Sequence, residues 1–108
     1  MVSAALATTT IKRTAYAPDV PTVDESGVKG FDVVTWNGFF APAKTSPEVI
    51  DILNREVRAA LADPALKQRY VELGLEPLPS TPAELGDRLH DEIGKWAKVI
   101  SDARIPKQ

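Results

Sequence analysis

Cysteine is absent from the 108-residue sequence, and histidine occurs once, at His90. The first absence removes disulfide frameworks, thiolate metal sites and cysteine nucleophiles together. The second removes multi-histidine metal centres and any relay built from several imidazoles. No apolar run approaches the roughly 18 residues of a membrane span. Charge of one sign is also scarce: 13 Lys and Arg face 15 Asp and Glu, giving −2 at pH 7 and a pI near 5.3. That balance exerts no strong pull toward nucleic acid or an anionic membrane, so no nucleic-acid partner is expected. There is no glycine-rich phosphate loop, because Gly27 and Gly30 do not precede a helix at the required spacing. No serine occupies a nucleophile elbow. Internal repeats and low-complexity tracts are missing as well. The Met1-to-Ala7 run is apolar but too short for a secretory h-region and follows no basic cluster. It leads into Thr8-Thr9-Thr10 rather than a cleavage site, and the expectation is a chain without a signal peptide.

What remains is ordinary globular material, 44% hydrophobic and 26% charged. The length suits one domain or part of one, with little surplus stability to spare.

Residues Val2 to Ile11 are small, apolar and threonine-rich, which suits a short buried strand, although the alanines also allow a helix. Pro18 and Pro21 each remove a backbone donor and bias the preceding residue to extended conformations, so this stretch reads as a fixed loop. Thr22-Val23-Asp24-Glu25 has the pattern to cap a single helical turn that Gly27 and Gly30 then stop. Phe31 to Ala43 is the most sheet-like stretch, dense in β-branched and aromatic residues and ended by Pro42; Gly38 within it suggests a bulge.

Three helices follow. Thr45-Ser46-Pro47-Glu48 supplies a hydroxyl cap, a first-turn proline and an acid at the positive helix end. Val49, Ile50, Leu53, Val57 and Leu61 form a stripe for a core. Asp63-Pro64 ends that helix and starts another, with Leu66, Tyr70 and Leu73 on its apolar side and Gly74 as its stop. Leu75 to Leu78 reads as a very short strand. Thr81-Pro82-Ala83-Glu84 is a capping box, and Leu85, Leu89, Ile93, Trp96 and Ile100 mark the buried stripe of the last helix. The tail after Arg104 is expected to fray.

Chemistry is sparse along this chain. His90 lies beside Asp87 and Asp91 on what reads as the solvated side of the last helix. The acids Asp24 and Glu25, and Asp87, Asp91 and Glu92, are explained by capping and a solvated face before catalysis is invoked. Lys12-Arg13 is an isolated basic pair suited to solvation or to fixing a loop. No catalytic residue is assigned, and an enzyme is not expected. Trp36-Asn37-Gly38 has binding character, pairing a large indole face with an amide donor and acceptor beside a flexible glycine. A core tryptophan followed by a bulge explains the same residues more simply, and Trp96 reads as core.

Pro18-Asp19-Val20-Pro21-Thr22-Val23-Asp24-Glu25-Ser26-Gly27, followed by Gly30-Phe31, closely resembles the PDVPTxxExG…GF signature of the Bug family. These are the TctC-type extracytoplasmic solute receptors of tripartite tricarboxylate transporters. Trp36-Asn37-Gly38-Phe39-Phe40-Ala41-Pro42-Ala43, with Thr45 and Pro47, resembles that family's W-x-G-x-x-A-P-A-x-T-P stretch. The similarity continues through Leu53-Asn54, Val57, Ala62-Asp63-Pro64, Leu73-Gly74, Glu76-Pro77, Thr81-Pro82 and Lys95-Trp96. Ala4, Leu6-Ala7-Thr8 and Arg13 resemble the strand and basic residue that precede the PDVPT loop.

The resemblance implies an α/β fold: the C-terminal part of a two-lobed periplasmic-binding-protein-like (Venus flytrap) architecture, with about three helices and two to three strands. Residues 1–30 would be a remnant of the second lobe, 31–43 a strand crossing between lobes, and 44–108 the helical end of the first lobe. The family's carboxylate-gripping turns, which use backbone N–H groups at helix N-termini, lie upstream of the matched region. The resemblance therefore implies a piece of a receptor that captures small organic acids for a membrane transporter, without a cofactor or a metal and without ligand affinity on its own. Trp36 and Asn37 fall near the inter-lobe hinge, and Thr9 ends the first strand; these three are the candidates for lining the cleft. The parent family is periplasmic. The alternative is a stand-alone structural or interaction module that self-associates or pairs with an N-terminal fragment.

Overall fold

Where backbone partners lie close in sequence, this chain takes regular form; where they lie far away, it does not. The computed structural model describes residues 3–106. It divides into two units, Met1–Gly38 and Phe39–Gln108.

In the first unit the expected strands are not formed. Thr8 makes an isolated parallel bridge with Thr22: its N–H donates to the Pro21 carbonyl at 2.9 Å and its own carbonyl accepts from Val23 at 2.9 Å. On the opposite side the Thr9 carbonyl accepts from the Val33 N–H at 2.9 Å. Three extended segments thus meet at Thr8-Thr9, but each contact is one residue long. A strand is defined by a ladder of neighbours, and no ladder extends beyond this point among the described residues. The expected strands over 2–11, 31–43 and 75–78 are corrected accordingly, with Val2 outside the described residues. β-propensity supplied extended backbone and no more.

The second unit holds α1 (Pro47–Ala62), α2 (Pro64–Glu72) and α3 (Pro82–Asp102), in that order. Each begins with proline at a position that needs no hydrogen-bonded N–H. Asp63 ends α1 and caps α2, its carboxylate accepting from the Leu66 N–H at 3.0 Å. Thr81 and Glu84 form the reciprocal box at the start of α3, with Glu84 N–H to Thr81 Oγ1 at 3.2 Å and Thr81 N–H to Glu84 Oε2 at 2.7 Å. At α1 the side chain of Ser46 makes no cap bond, contrary to the expected hydroxyl cap. Only its carbonyl takes part, accepting from the Ile50 N–H.

Gly74 closes α2 at φ 68°, with Leu75 N–H bonded to Tyr70 O at 2.8 Å and Gly74 N–H to Val71 O at 3.0 Å. This is the Schellman arrangement that a left-handed residue permits. The same pair of bonds closes α3, from Ile105 to Ile100 O and from Arg104 to Ser101 O. Here Arg104 carries the positive φ, 52°. The chain beyond Arg104 was expected to fray, yet Ile105 is tied back to the helix; Lys107 and Gln108 lie outside the described residues.

The amphipathic stripes exist, but they are not buried. Thr22 is the buried residue among those described, and none of the apolar side chains reaches that state. Trp96, expected in a core, is 40% exposed. The reason is geometric: α1 packs on α2, whereas α3 makes at most marginal contact with either. Asn54 of α1 donates to the Ser80 carbonyl at 2.8 Å and ties α1 to the segment leading into α3.

Arg104→Gly is expected to stabilise the end of α3 by about 1 kcal/mol, because an L-residue in the left-handed region costs roughly 1–2 kcal/mol and glycine does not. Slower amide exchange at Ile105 would register it; unchanged or faster exchange would show that the turn carries no strain.

Candidate functional site

The first unit is organised by a polar knot in the PDVPT loop. Thr22 Oγ1 accepts from the Glu25 N–H at 3.0 Å while Glu25 Oε2 accepts from the Thr22 N–H at 2.8 Å. The sequence pattern therefore does cap one turn, and Gly27 leaves it at φ 116°. Ser26 Oγ donates to the Thr22 carbonyl at 2.8 Å, so buried Thr22 is bonded through its N–H, hydroxyl and carbonyl.

Arg13 reaches this turn from outside. Its Nε lies 3.1 and 2.9 Å from the two Glu25 oxygens, and its Nη1 donates to the Pro18 carbonyl at 3.2 Å. One guanidinium thus holds both ends of the proline-rich stretch, the loop-fixing role open to a lone basic pair. Asp24 performs a similar task further on, accepting from the Gly30 N–H at 2.7 Å, with Lys29 Nζ 3.4 Å from its other oxygen. Ile11 N–H donates to Asp32 at 3.2 Å. The sequence marked Thr22 as a cap and Arg13 as basic, but it did not pair Arg13 with Glu25. The cue was available: an acid at the third helical position is already oriented by the cap, which fixes where a cation must stand.

These contacts shift the carboxylates in one direction. The Arg13 hydrogen bond, helped by the Thr22 N–H, holds Glu25 below its ordinary range. The Gly30 N–H does the same for Asp24, with help from Lys29. Arg13 is correspondingly raised by Glu25.

The three proposed ligand residues all belong to the first unit. Thr9 is exposed, and its carbonyl is held by Val33. Trp36 is half-buried three residues later, and Asn37 is exposed beside it. The backbone thus brings Thr9 near the start of the Trp36-Asn37 segment. A depression of about 460 Å³ lies along α1 in the second unit, between Asp51, Asn54, Arg55, Arg58 and Pro79. It is open to solvent. His90 stands exposed on α3, as the sequence indicated. Among the described residues no group of acids and histidine is arranged to hold a metal, and no helix is long and apolar enough to cross a membrane.

The profile of the tripartite tricarboxylate transporter family receptor, TctC, matches residues 3–105. The chain belongs to the TctC family. Among its relatives is BugT of Bordetella pertussis (strain Tohama I), 34% identical over 98 residues, with 91% of this chain and 30% of BugT covered. A UPF0065 protein from the TAR-I ttuE-ttuC' intergenic region of Agrobacterium vitis is 39% identical over 102 residues, covering 92% of this chain and 30% of that protein. The solved periplasmic binding protein BugD matches with a TM-score of 0.79 at 39% identity, over 94% of this chain and 35% of BugD. This TctC chain therefore has the fold of part of a periplasmic binding protein, and it spans about a third of the length of these relatives.

The TctC loop is expected to be acid-sensitive. Because Asp24 and Glu25 bind protons less readily folded than unfolded, their contribution is fully present above the ordinary carboxylate range. It is lost as pH falls through their depressed folded values. At neutral pH, Glu25→Gln should speed exchange of the Thr22 amide roughly tenfold and flatten its acid dependence. An unchanged profile would mean that Arg13 and Glu25 do not hold the turn.

Proposed function

We propose that this TctC chain is the C-terminal portion of a two-lobed α/β receptor that captures small organic acids in the periplasm for a tripartite tricarboxylate transporter. On this reading residues 1–30 come from the second lobe, 31–43 cross between lobes and 44–108 complete the first. The membrane subunits of the transporter are its partners, and Trp36, Asn37 and Thr9 line the ligand cleft. Membership of a receptor family supports the reading, together with the match to BugD. The observation that carries it is the match of residues 3–105 to a family of transporter receptors, in a chain spanning 35% of a solved periplasmic binding protein.

The chain alone does not hold a carboxylate on this proposal. An anion of this kind needs several converging donors in a site shielded from water, and the depression beside Pro79 is open. Isothermal titration of the 108-residue chain with citrate and with succinate is expected to give no binding heat. A Kd tighter than about 10 μM would overturn the statement that this segment alone does not complete the ligand site.

The second reading, an interaction module that pairs with another chain or with itself, is favoured by a specific observation. Large apolar side chains stand exposed in both units, among them Leu6 at 83% in the first and Ile93 at 62% in the second. Surface of this kind calls for a partner.

A further inference from the structure

We propose that Arg13 is a positioning residue for the ligand cleft, setting where Thr9 and the start of the Trp36-Asn37 segment stand. This rests on the receptor reading, which assigns those three residues to the cleft, and adds the group that places them.

The stretch from Thr8 to Arg13 is an arch with both feet on one turn. At the first foot the Thr8 N–H donates to the Pro21 carbonyl and the Thr8 carbonyl accepts from the Val23 N–H, each at 2.9 Å. Thr8 thus grips the residues on either side of buried Thr22. At the second foot Arg13 Nε lies 3.1 and 2.9 Å from the Glu25 oxygens, and Nη1 donates to the Pro18 carbonyl. Thr9 stands inside this arch. The Thr10 hydroxyl braces it from within, donating to the Lys12 carbonyl at 2.6 Å.

The outer side of the arch holds the segment that leads to Trp36. The Thr9 carbonyl accepts from the Val33 N–H at 2.9 Å, and the Ile11 N–H donates to Asp32 at 3.2 Å. Two consecutive residues, Asp32 and Val33, are therefore tied to the arch shortly before Trp36 and Asn37. Any movement of the arch moves both ties. With the Arg13 foot released, Thr9 and Ile11 would keep only the Thr8 foot and the Thr10 brace.

An ion pair this exposed, with side chains 44% and 43% accessible, is worth little in isolation. Its leverage here comes from preorganisation. Glu25 is already oriented by the Thr22 N–H at 2.8 Å, so Arg13 meets a fixed carboxylate rather than a mobile one. The guanidinium then uses a second nitrogen on Pro18, a geometry that a planar fork supplies and an ammonium does not. The two groups shift each other in the direction of a tighter pair. Glu25 is the largest cause of the raised Arg13, with a smaller pull from Asp19, and Arg13 is the largest cause of the lowered Glu25.

Arg13→Ala in the 108-residue chain tests the assignment, read by amide exchange and by the indole N–H resonances. The Ile11 and Val33 amides, which join the arch to the cleft segment, are expected to exchange about tenfold faster. The Thr8 and Gly30 amides are held by Pro21 and Asp24 without Arg13, and should stay within about twofold of the parent chain. The Trp36 indole resonance should move, while that of Trp96 in the second unit stays in place. Arg13→Lys keeps the charge and a contact with Glu25, and should recover part of the lost protection. Equal acceleration at Gly30 would show that the whole turn melts and that Arg13 only staples it, which overturns the positioning role. Unchanged exchange at Val33, or an Arg13→Lys chain no better protected than Arg13→Ala, would overturn it too. No ligand enters these measurements, so such results leave the receptor reading standing. A receptor whose cleft does not use Thr9 would, conversely, still show the expected exchange rates.

Discussion

Every backbone N–H and C=O has to find a partner, and in this chain the distance to that partner decides which segments take regular form. An α-helix closes its bonds within four residues, so α1, α2 and α3 need nothing beyond their own sequence and their caps. A strand needs a neighbour along its whole length. The three extended segments of the first unit meet only around Thr8 and Thr9, through single bonds to Pro21, Val23 and Val33. The same asymmetry explains why side-chain polar groups take over in this unit. Glu25, Asp24 and Asp32 accept the backbone N–H groups of Thr22, Gly30 and Ile11, bonds that a fuller sheet or helix would supply by itself.

The hydrophobic term follows a different geography. Each helix carries an apolar stripe, and α1 and α2 share part of theirs, but no apolar side chain becomes buried among the described residues. Helical hydrogen bonds and caps therefore hold the second unit more than a core does. In the first unit the most enclosed residue is a threonine bonded at every polar atom. A chain so arranged is locally specified and globally under-packed. The solved periplasmic binding protein BugD is matched over 35% of its length.

Much of this was readable from local signals. The Thr81–Glu84 box, the Asp63-Pro64 junction, the Gly74 stop and the Thr22 cap each depend on residues within a few positions of one another, and each stands where the pattern placed it. The PDVPT and W-x-G-x-x-A-P-A motifs identified the family, and the match over residues 3–105 agrees. The expectation at Ser46 failed because its hydroxyl makes no cap bond, a choice of side-chain rotamer that sequence does not encode. The left-handed turn at Arg104 was equally hidden, since arginine carries no preference for that conformation.

By itself the sequence determined the caps of α2 and α3, the family and the absence of thiol and multi-histidine chemistry, because each is settled by residue identity or by contacts a few positions apart. Tertiary structure alone decided that the β-prone segments remain unladdered, that Trp96 and the α3 stripe stay exposed, and that Arg13 clasps Glu25 and Pro18. These depend on which surfaces meet in space. Periodicity announces that a face is apolar; only the arrangement of the other elements says whether anything covers it.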